Sequence, residues 1–274
     1  MNSMTTPVID GHAHIFERSL PMVEPRRYTP DRDALLADYL TELDHHGFTH
    51  GVLVQPSFLG DDNRYLLAAL AASPDRLRGV VVVRHTVAED ELRRMAAVGV
   101  VGVRLNLIGA DTPDFNDPAW VAFLERLRRL GLHIELTCAA AVLETALPPL
   151  LNAGCDVVVD HFGRPDGPLG MDDPGFQCLL AAGATGHVWV KLSAMYRMVP
   201  SRFDAPLVLD RLSRALGRQR LVWGSDWPHT HYTDQLTFSS ALALIDGLGL
   251  TPEARSQVLG ASACSLFRIG AVHV

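Results

Sequence analysis

Three segments between residues 100 and 138 read VVGVRLNL (Val100–Leu107), PAWVAFLERLRRL (Pro118–Leu130) and HIELTC (His133–Cys138). The first and third are short and largely apolar on successive positions, which is typical of strands buried on both faces of a parallel sheet. The middle segment has apolar residues at helical spacing and charged residues on the opposite face, so it predicts an amphipathic helix. Together they indicate a strand, a crossover helix and a second, parallel strand.

The same alternation extends to both ends of the chain. A further amphipathic segment, DALLADYLTELD, covers Asp33–Asp44. Strand-like runs occur eight times, at Val8–Ile15, Gly51–Gln55, Gly79–Val83, Val100–Leu107, His133–Cys138, Val157–Phe162, Val188–Ser193 and Leu221–Ser225. This repetition predicts an α/β fold, a (β/α)8 or TIM barrel, rather than an open sheet. No linker or low-complexity segment divides the chain, so we expect a single domain over residues 1–274.

Glycines lie between a helical segment and the next strand at six places: Gly47, Gly99, Gly131, Gly154, Gly186 and Gly217. Glycine suits the left-handed backbone conformation that ends a helix. The regular placement of these residues supports the same fold.

Composition narrows the class of protein. The chain has 274 residues, of which 48% are hydrophobic and 20% charged, as in an ordinary globular protein. Its formal net charge of −7 argues against a general nucleic-acid binder, which needs a basic face to neutralise phosphate. No apolar run approaches about 18 residues and no secretion signal is recognisable, so we expect no membrane association. Four scattered cysteines fit a cytoplasmic protein.

Histidine and aspartate side chains follow three of the predicted strands. The first strand ends in DGHAH, where His12 and His14 share a face because side chains alternate along a strand. The sixth leads into DHFGRP with His161, and the eighth into SDWPH with Asp226. Active sites of TIM barrels lie at the carboxyl ends of the strands, so we expect these side chains to meet. An aspartate among histidines suits a general base or a metal ligand, the alternatives being packed histidines and a helix N-cap.

Positively charged side chains occur at the same end of the predicted barrel. Arg104 and Asn106 share a face of the fourth strand, and Arg164 follows the sixth. A guanidinium in a barrel mouth pairs with a carboxylate or binds an anion, because leaving it unpaired is costly. Lys191 and Ser193 share a face of the seventh strand, where Lys191 is either a functional cation or a structural one paired with an acid.

Taken together, these motifs resemble the amidohydrolase superfamily, and within it the branch that includes 2-pyrone-4,6-dicarboxylate hydrolase and sugar lactonases. The resemblance covers nearly the whole chain and includes RYTP at 27–30, GVLVQ at 51–55, DNR at 62–64 and GVRLN at 102–106. It implies a hydrolase that opens a lactone, a cyclic ester, of a carboxylated small molecule.

The resemblance also implies roles for individual residues. Asp226 deprotonates the attacking water, while His12, His14 and His161 polarise the lactone carbonyl or stabilise the oxyanion, directly or through a metal. Substrate-binding residues are implied at Tyr28, Arg104, Asn106, Arg164, Arg197 and His229.

The requirement for a metal stays open at the level of sequence. Many superfamily members take a further ligand from the fourth or fifth strand, where this chain has Arg104 and Thr137, neither a usual ligand for zinc or manganese. We therefore expect no cofactor. The alternative is one divalent ion, zinc or manganese, held by the four predicted catalytic residues: His12, His14, His161 and Asp226.

Two departures from the pyrone hydrolase pattern predict a different substrate. The loop after the fourth strand reads LIGA at 107–110 in place of basic residues, and Thr137 stands where that hydrolase has a tyrosine. With one cation and one aromatic contact fewer, we expect a related lactone that has one carboxylate fewer or hydroxyls instead.

Three other interpretations compete with lactone hydrolysis. A metal-dependent decarboxylase of the same superfamily requires a bound ion, whereas a sugar-lactone isomerase forms no acid. A catalytically inactive binding barrel is disfavoured because no histidine or aspartate of the set is replaced by an inert residue. The sequence does not give the oligomeric state.

Overall fold

Eight parallel strands form a barrel in the computed structural model, which describes residues 4–198, 202–270 and 272–273. Strands β1 to β8 comprise Ile9–Ala13, His50–Val54, Leu77–Val81, Val100–Asn106, His133–Thr137, Val157–Val159, Val188–Ser193 and Leu221–Gly224. Each strand pairs in parallel with the next along the chain. Beyond the ends of β8 and β1, the Asp226 amide donates to the His12 carbonyl (2.8 Å) and the His14 amide to the Trp227 carbonyl (2.7 Å). These bonds join the last strand to the first, and the predicted TIM barrel is confirmed.

Helices connect the strands and cover the outside of the barrel. Helices α1 to α10 comprise Leu36–His45, Arg64–Ala72, Glu89–Ala97, Pro118–Leu130, Ala140–Asn152, Pro174–Ala182, Ala205–Leu216, Phe238–Asp246, Pro252–Ser256 and Ser262–Phe267. Two short strands outside the barrel, Met4–Thr5 and Val272–His273, pair antiparallel. Among the described residues, none of the helices has the length and apolar character needed to cross a membrane.

The predicted elements agree with these bounds to within a few residues. Helix α4 and strand β7 begin and end as predicted. The sixth run stops at Val159 instead of Phe162, because His161 and Phe162 have positive φ angles of 52° and 58° and leave the strand. All six glycines that separate a predicted helix from a strand have positive φ, from 64° at Gly131 to 108° at Gly99.

The interior of the barrel is divided between an apolar end and a polar end. Apolar residues from seven of the eight strands pack against the C-terminal segment; this cluster comprises Ile9, Val52, Val54, Val80, Val101, Val158, Trp189, Val222, Ala263, Leu266, Phe267 and Ile269. Gly11 permits this packing, because a Cβ there would lie 2.6 Å from the Trp223 carbonyl oxygen and 3.1 Å from the Phe267 ring. The carboxyl ends of the strands are therefore left for polar side chains.

Candidate active site

An open cavity lies at the carboxyl ends of the strands. Its wall includes three of the predicted catalytic residues, His14, His161 and Asp226. It also includes five of the predicted substrate-binding residues, namely Tyr28, Arg104, Asn106, Arg164 and Arg197. Residues that are far apart in the sequence thus meet at one place.

His12 lies behind this wall. Its side chain is fully buried, with Nε2 at 3.3 Å from Nε2 of His14 and 3.7 Å from Oδ1 of Asp226. Burial and the positive charge of Lys191 hold the pKa of His12 well below its ordinary value, so the ring is neutral. His12 therefore contacts the residues of the cavity wall, and its predicted effect on a substrate carbonyl stays a prediction.

Asp226 follows β8 in a left-handed backbone conformation, with a φ of 61°. Its Oδ2 accepts hydrogen bonds from the Tyr196 hydroxyl (2.6 Å) and from Nε of Arg197 (2.7 Å), while Oδ1 lies 3.5 Å from Nε2 of His14. Burial raises the pKa of Asp226, but the positive charge of Arg197 outweighs this and holds it well below its ordinary value. The carboxylate is ionised and held in place by one of its two oxygens.

Hydrogen bonds also orient the two histidines of the wall. Nδ1 of His14 lies 2.7 Å from the carbonyl oxygen of Val54, which can only accept, so Nδ1 carries a proton. Nδ1 of His161 lies 2.8 Å from the Ser193 hydroxyl. Burial lowers the pKa of His161 to about 4, so this ring is neutral at physiological pH. In both histidines, Nε2 remains for contacts within the site.

Four arginines share the cavity: Arg27, Arg104, Arg164 and Arg197. Burial and repulsion from the other three lower the pKa of Arg27. Arg164 forms a bidentate pair with Asp166, at 3.0 and 3.1 Å. Because Arg197 is paired with Asp226 in turn, Arg27 and Arg104 provide the positive charge that is available to an anionic ligand.

Arg104 is held at its base by neutral groups. Its Nη1 donates to the Gln55 carbonyl (3.0 Å) and its Nε to the Thr137 hydroxyl (3.1 Å). The Thr137 hydroxyl in turn donates to Asp160, whose Oδ2 lies 4.0 Å from Nη2 of Arg104. The guanidinium is thus positioned by the fifth strand, and only loosely paired with a carboxylate.

A second group of charged residues lies beneath the cavity, around Lys191. Its ammonium donates to Glu135 and lies 3.7 Å from Oδ1 of Asp160, and all three side chains are buried. This is the arrangement expected from the structural interpretation of Lys191, in which it pairs with acids inside the barrel. Burial and repulsion from Asp160 raise the pKa of Glu135 to about 7.

Comparison with known proteins identifies the family. Residues 9–269 match the amidohydrolase family. The chain belongs to this family. It is 32% identical over 234 residues to 4-sulfomuconolactone hydrolase of Rhizobium radiobacter, covering 82% of this chain and 77% of the relative. It is 30% identical over 271 residues to 2-pyrone-4,6-dicarboxylate hydrolase of Comamonas testosteroni, covering 92% and 87%.

A solved structure agrees with these relatives. The crystal structure of a protein from Pseudomonas putida, assigned as a 2-pyrone-4,6-dicarboxylic acid hydrolase, has a TM-score of 0.90 and 45% sequence identity. The match covers 97% of this amidohydrolase and 99% of that chain. The family predicted from the strand-end motifs is therefore confirmed, and the three relatives described above are named as hydrolases.

Some residues of the amidohydrolase site differ from prediction. His229 does not line the cavity; its ring lies 5.8 Å from that of Tyr196, and its buried Nε2 has no hydrogen-bond partner among the described residues. Arg27, Thr230 and His231 line the cavity but were not among the predicted site residues. Arg27 lies in the RYTP motif next to Tyr28, and this adjacency was the signal that could have identified it.

Members of this family often bind a divalent metal ion. In this amidohydrolase, His12, His161 and Asp226 each offer one ligand atom, and these atoms lie within 4.8 Å of one another. However, Lys191 Nζ lies 3.0 Å from His12 Nδ1, and Arg197 Nε lies 2.7 Å from Asp226. Two of the three candidate ligands already contact a cation, so the group fits a metal ion in spacing but not in charge.

Proposed function

We propose that this amidohydrolase opens a lactone that carries at least one carboxylate or similar anionic group. The observation that supports this most strongly is the combination, in one cavity, of an ionised Asp226 with two arginines that have no close carboxylate partner among the described residues, Arg27 and Arg104. The relatives support the same class, since their names specify lactones with sulfo or carboxylate groups.

Binding of the substrate depends on the arginines. The anionic group of the lactone pairs with Arg104 and Arg27, since bidentate contacts between guanidinium and carboxylate are stronger than neutral hydrogen bonds. Tyr28 and Asn106 lie in the same wall and orient the ring. This arrangement places the ester carbonyl near Asp226 and His161, which follow the carboxyl ends of β8 and β6.

Water attack depends on Asp226. Oδ1 accepts a proton from water as the water oxygen bonds to the lactone carbonyl carbon, while Arg197 and Tyr196 hold Oδ2. His161 receives a hydrogen bond from Ser193 at Nδ1 and donates from Nε2 to the oxyanion that forms. Collapse of the tetrahedral intermediate breaks the ring C–O bond, and Asp226 returns its proton to the leaving oxygen. The product is a hydroxy acid, or an enol acid where the ring oxygen of the lactone was bonded to an unsaturated carbon.

We propose that the reaction requires no metal ion. Arg27 and Arg104 supply the available positive charge of the site, and Lys191 supplies a further cation behind His12. The decarboxylase alternative depends on a bound ion, so a strict metal requirement would favour it over lactone hydrolysis.

We also propose a cytoplasmic location. All four cysteines are thiols, and two of them, Cys138 and Cys155, are buried in the core. Burial raises the pKa of both thiols, to about 12 and about 11, so these groups are structural and unreactive. This usage of cysteine fits a reducing compartment.

Acid release tests the proposed function. Chelator-treated protein is mixed with a pyrone dicarboxylate, a carboxylated sugar lactone and a neutral sugar lactone, and acid is followed with a pH indicator. We expect acid from at least one carboxylated lactone and much less from the neutral one. No acid from any lactone, with or without added zinc or manganese, would contradict the proposal. In that case, product analysis decides between isomerisation and decarboxylation.

A further inference from the structure

The buried ammonium of Lys191 contacts His12 as well as its acidic partners. Its Nζ lies 3.0 Å from Nδ1 of His12, in addition to its contact with Glu135. An ammonium group has only hydrogens to offer, so it donates and Nδ1 of His12 must accept. A neutral imidazole has one N–H, which in this case belongs to Nε2 of His12.

The contacts of His14 agree with this assignment. The Val54 carbonyl oxygen fixes the proton of His14 on Nδ1, at 2.7 Å. Nε2 of His14 lies 3.3 Å from Nε2 of His12 and is placed to accept the hydrogen that His12 carries there. All donors point one way, from Lys191 through His12 and His14 to Val54.

We propose that Lys191 is a positioning residue that fixes His12 in the tautomer with its proton on Nε2. In this form His12 donates to His14 and faces Asp226 with an N–H, and it has no lone pair for a metal ion. The ammonium lies among His12, Glu135 and Asp160, whose possible metal-ligand atoms lie within 4.8 Å of one another. It therefore occupies the place that a metal ion bound by these three residues would take.

Removal of Lys191 permits the other tautomer. Oδ1 of Asp160 and Oε1 of Glu135 lie 3.4 and 3.5 Å from Nδ1 of His12, and both oxygens are buried without a hydrogen-bond partner among the described residues. Without the ammonium, Nδ1 of His12 carries the proton and donates to Asp160. Nε2 is then available to bind an ion together with His161 and Asp226. A carboxylate behind the histidine is the usual support of a metal-binding imidazole.

Nitrogen-15 NMR of the unsubstituted, histidine-labelled protein tests the inference, and a His12 variant is needed only to assign the signals. The proton-bearing and lone-pair nitrogens of a neutral imidazole resonate in separate regions, and the spectrum of His12→Gln protein assigns the signals. We expect Nε2 of His12 to carry the proton in the metal-free protein. A proton on Nδ1 would overturn the proposal.

Zinc affinity provides the second readout. Lys191→Met alone would bury Glu135 without its partner, so the variant to compare is Lys191→Met/Glu135→Gln, with Glu135→Gln as the control that retains the ammonium. Competition with a chromophoric chelator is expected to give at least about tenfold tighter zinc binding by the double variant than by the control. The double variant gains Nε2 of His12 as a ligand and loses the repulsion between zinc and the Lys191 ammonium. Equal zinc affinities in the two folded proteins would overturn the proposal. Neither readout depends on lactone hydrolysis, so failure of the tautomer proposal can be distinguished from failure of the proposed function.

Discussion

Nε of Arg197 lies 2.7 Å from Oδ2 of Asp226, while Oδ1 of the same carboxylate lies 3.5 Å from Nε2 of His14. The two oxygens therefore have different surroundings: one is held by a guanidinium and a phenol, and the other faces the imidazoles of His12 and His14. This asymmetry keeps Asp226 ionised and aimed, which is what a base that acts on water requires.

Asp226→Asn tests the role of the carboxylate. The amide keeps the shape of the side chain but cannot accept a proton, so kcat on the preferred lactone should fall on the order of 10²-fold or more. Steady-state kinetics measures this, with Asp156→Asn as the control, since Asp156 is an exposed carboxylate at the other end of the barrel. Turnover near that of the unchanged protein would remove Asp226 from the mechanism.

The pH dependence of kcat/KM follows from the pKa shifts. The pKa of Asp226 lies well below its ordinary value and that of His161 is about 4, so both groups are in their active forms above about pH 5. Activity that depends on these two groups should be lost as pH falls through these values. Glu135, with a pKa of about 7, lies behind His12. If kcat/KM shows an additional step near pH 7 and Glu135→Gln removes that step, the step reports the titration of Glu135. A step near pH 7 that persists there would indicate a different base.

Arg104→Met tests recognition of the anionic group. The substitution removes the guanidinium but keeps the length of the side chain, so KM for a carboxylated lactone should rise about tenfold or more, with less effect on a neutral lactone. The matched control is Arg214→Met on α7, where the arginine is exposed and pairs with Asp210. Equal losses on charged and neutral lactones would show that Arg104 serves the fold or the chemical step instead.

Removal of metal ions tests the proposed cofactor independence. Protein that has been dialysed against a strong chelator should turn over the preferred lactone as fast as untreated protein, and added zinc should not raise the rate. Metal content by mass spectrometry confirms that removal was complete. Activity that disappears with the chelator and returns with zinc or manganese would assign a catalytic ion to this site.

Stability of the barrel depends on Asp10, which joins β1 to the end of β8. Its Oδ1 accepts from the Ser225 amide (2.7 Å), and its Oδ2 from the Ser225 hydroxyl (2.6 Å) and the Tyr39 hydroxyl (2.9 Å). Asp10→Asn turns an NH₂ group toward these donors, so the free energy of unfolding should fall by about 2–4 kcal/mol in urea titrations. Tyr39→Phe removes one donor and should cost only about 1 kcal/mol. If Asp10→Asn were no more harmful than Tyr39→Phe, this hydrogen-bond network would not be what joins the strands.

Pairs of inward-facing residues could be predicted because alternation along a strand is a local property. His12 and His14 are in contact, and Arg104 and Asn106 line one cavity. Ser193 is the next inward-facing residue after the buried Lys191 on the same strand. Alternation does not distinguish depth, however. Residues two apart on one strand lie in successive layers of the barrel, so His12 is buried behind the wall in which His14 lies.

Other features depend on contacts between distant parts of the chain. The pairing of Arg197 with Asp226 and of Lys191 with His12 joins residues 29 and 179 positions apart, for which the sequence has no periodic signal. The positive φ of Asp226 is likewise imposed by its surroundings, since an aspartate by itself favours other backbone conformations. These contacts decide the protonation of the site, which is why the sequence alone leaves the question of a metal open.

The most direct measurement is the mass of the product formed from a carboxylated lactone in water enriched in oxygen-18. Hydrolysis through Asp226 predicts a product heavier than the substrate by one water molecule, with a single labelled oxygen in the new carboxylate after one turnover. A product of unchanged mass would indicate isomerisation, and one that has lost carbon dioxide would indicate decarboxylation. Either result would contradict lactone hydrolysis as the reaction of this amidohydrolase.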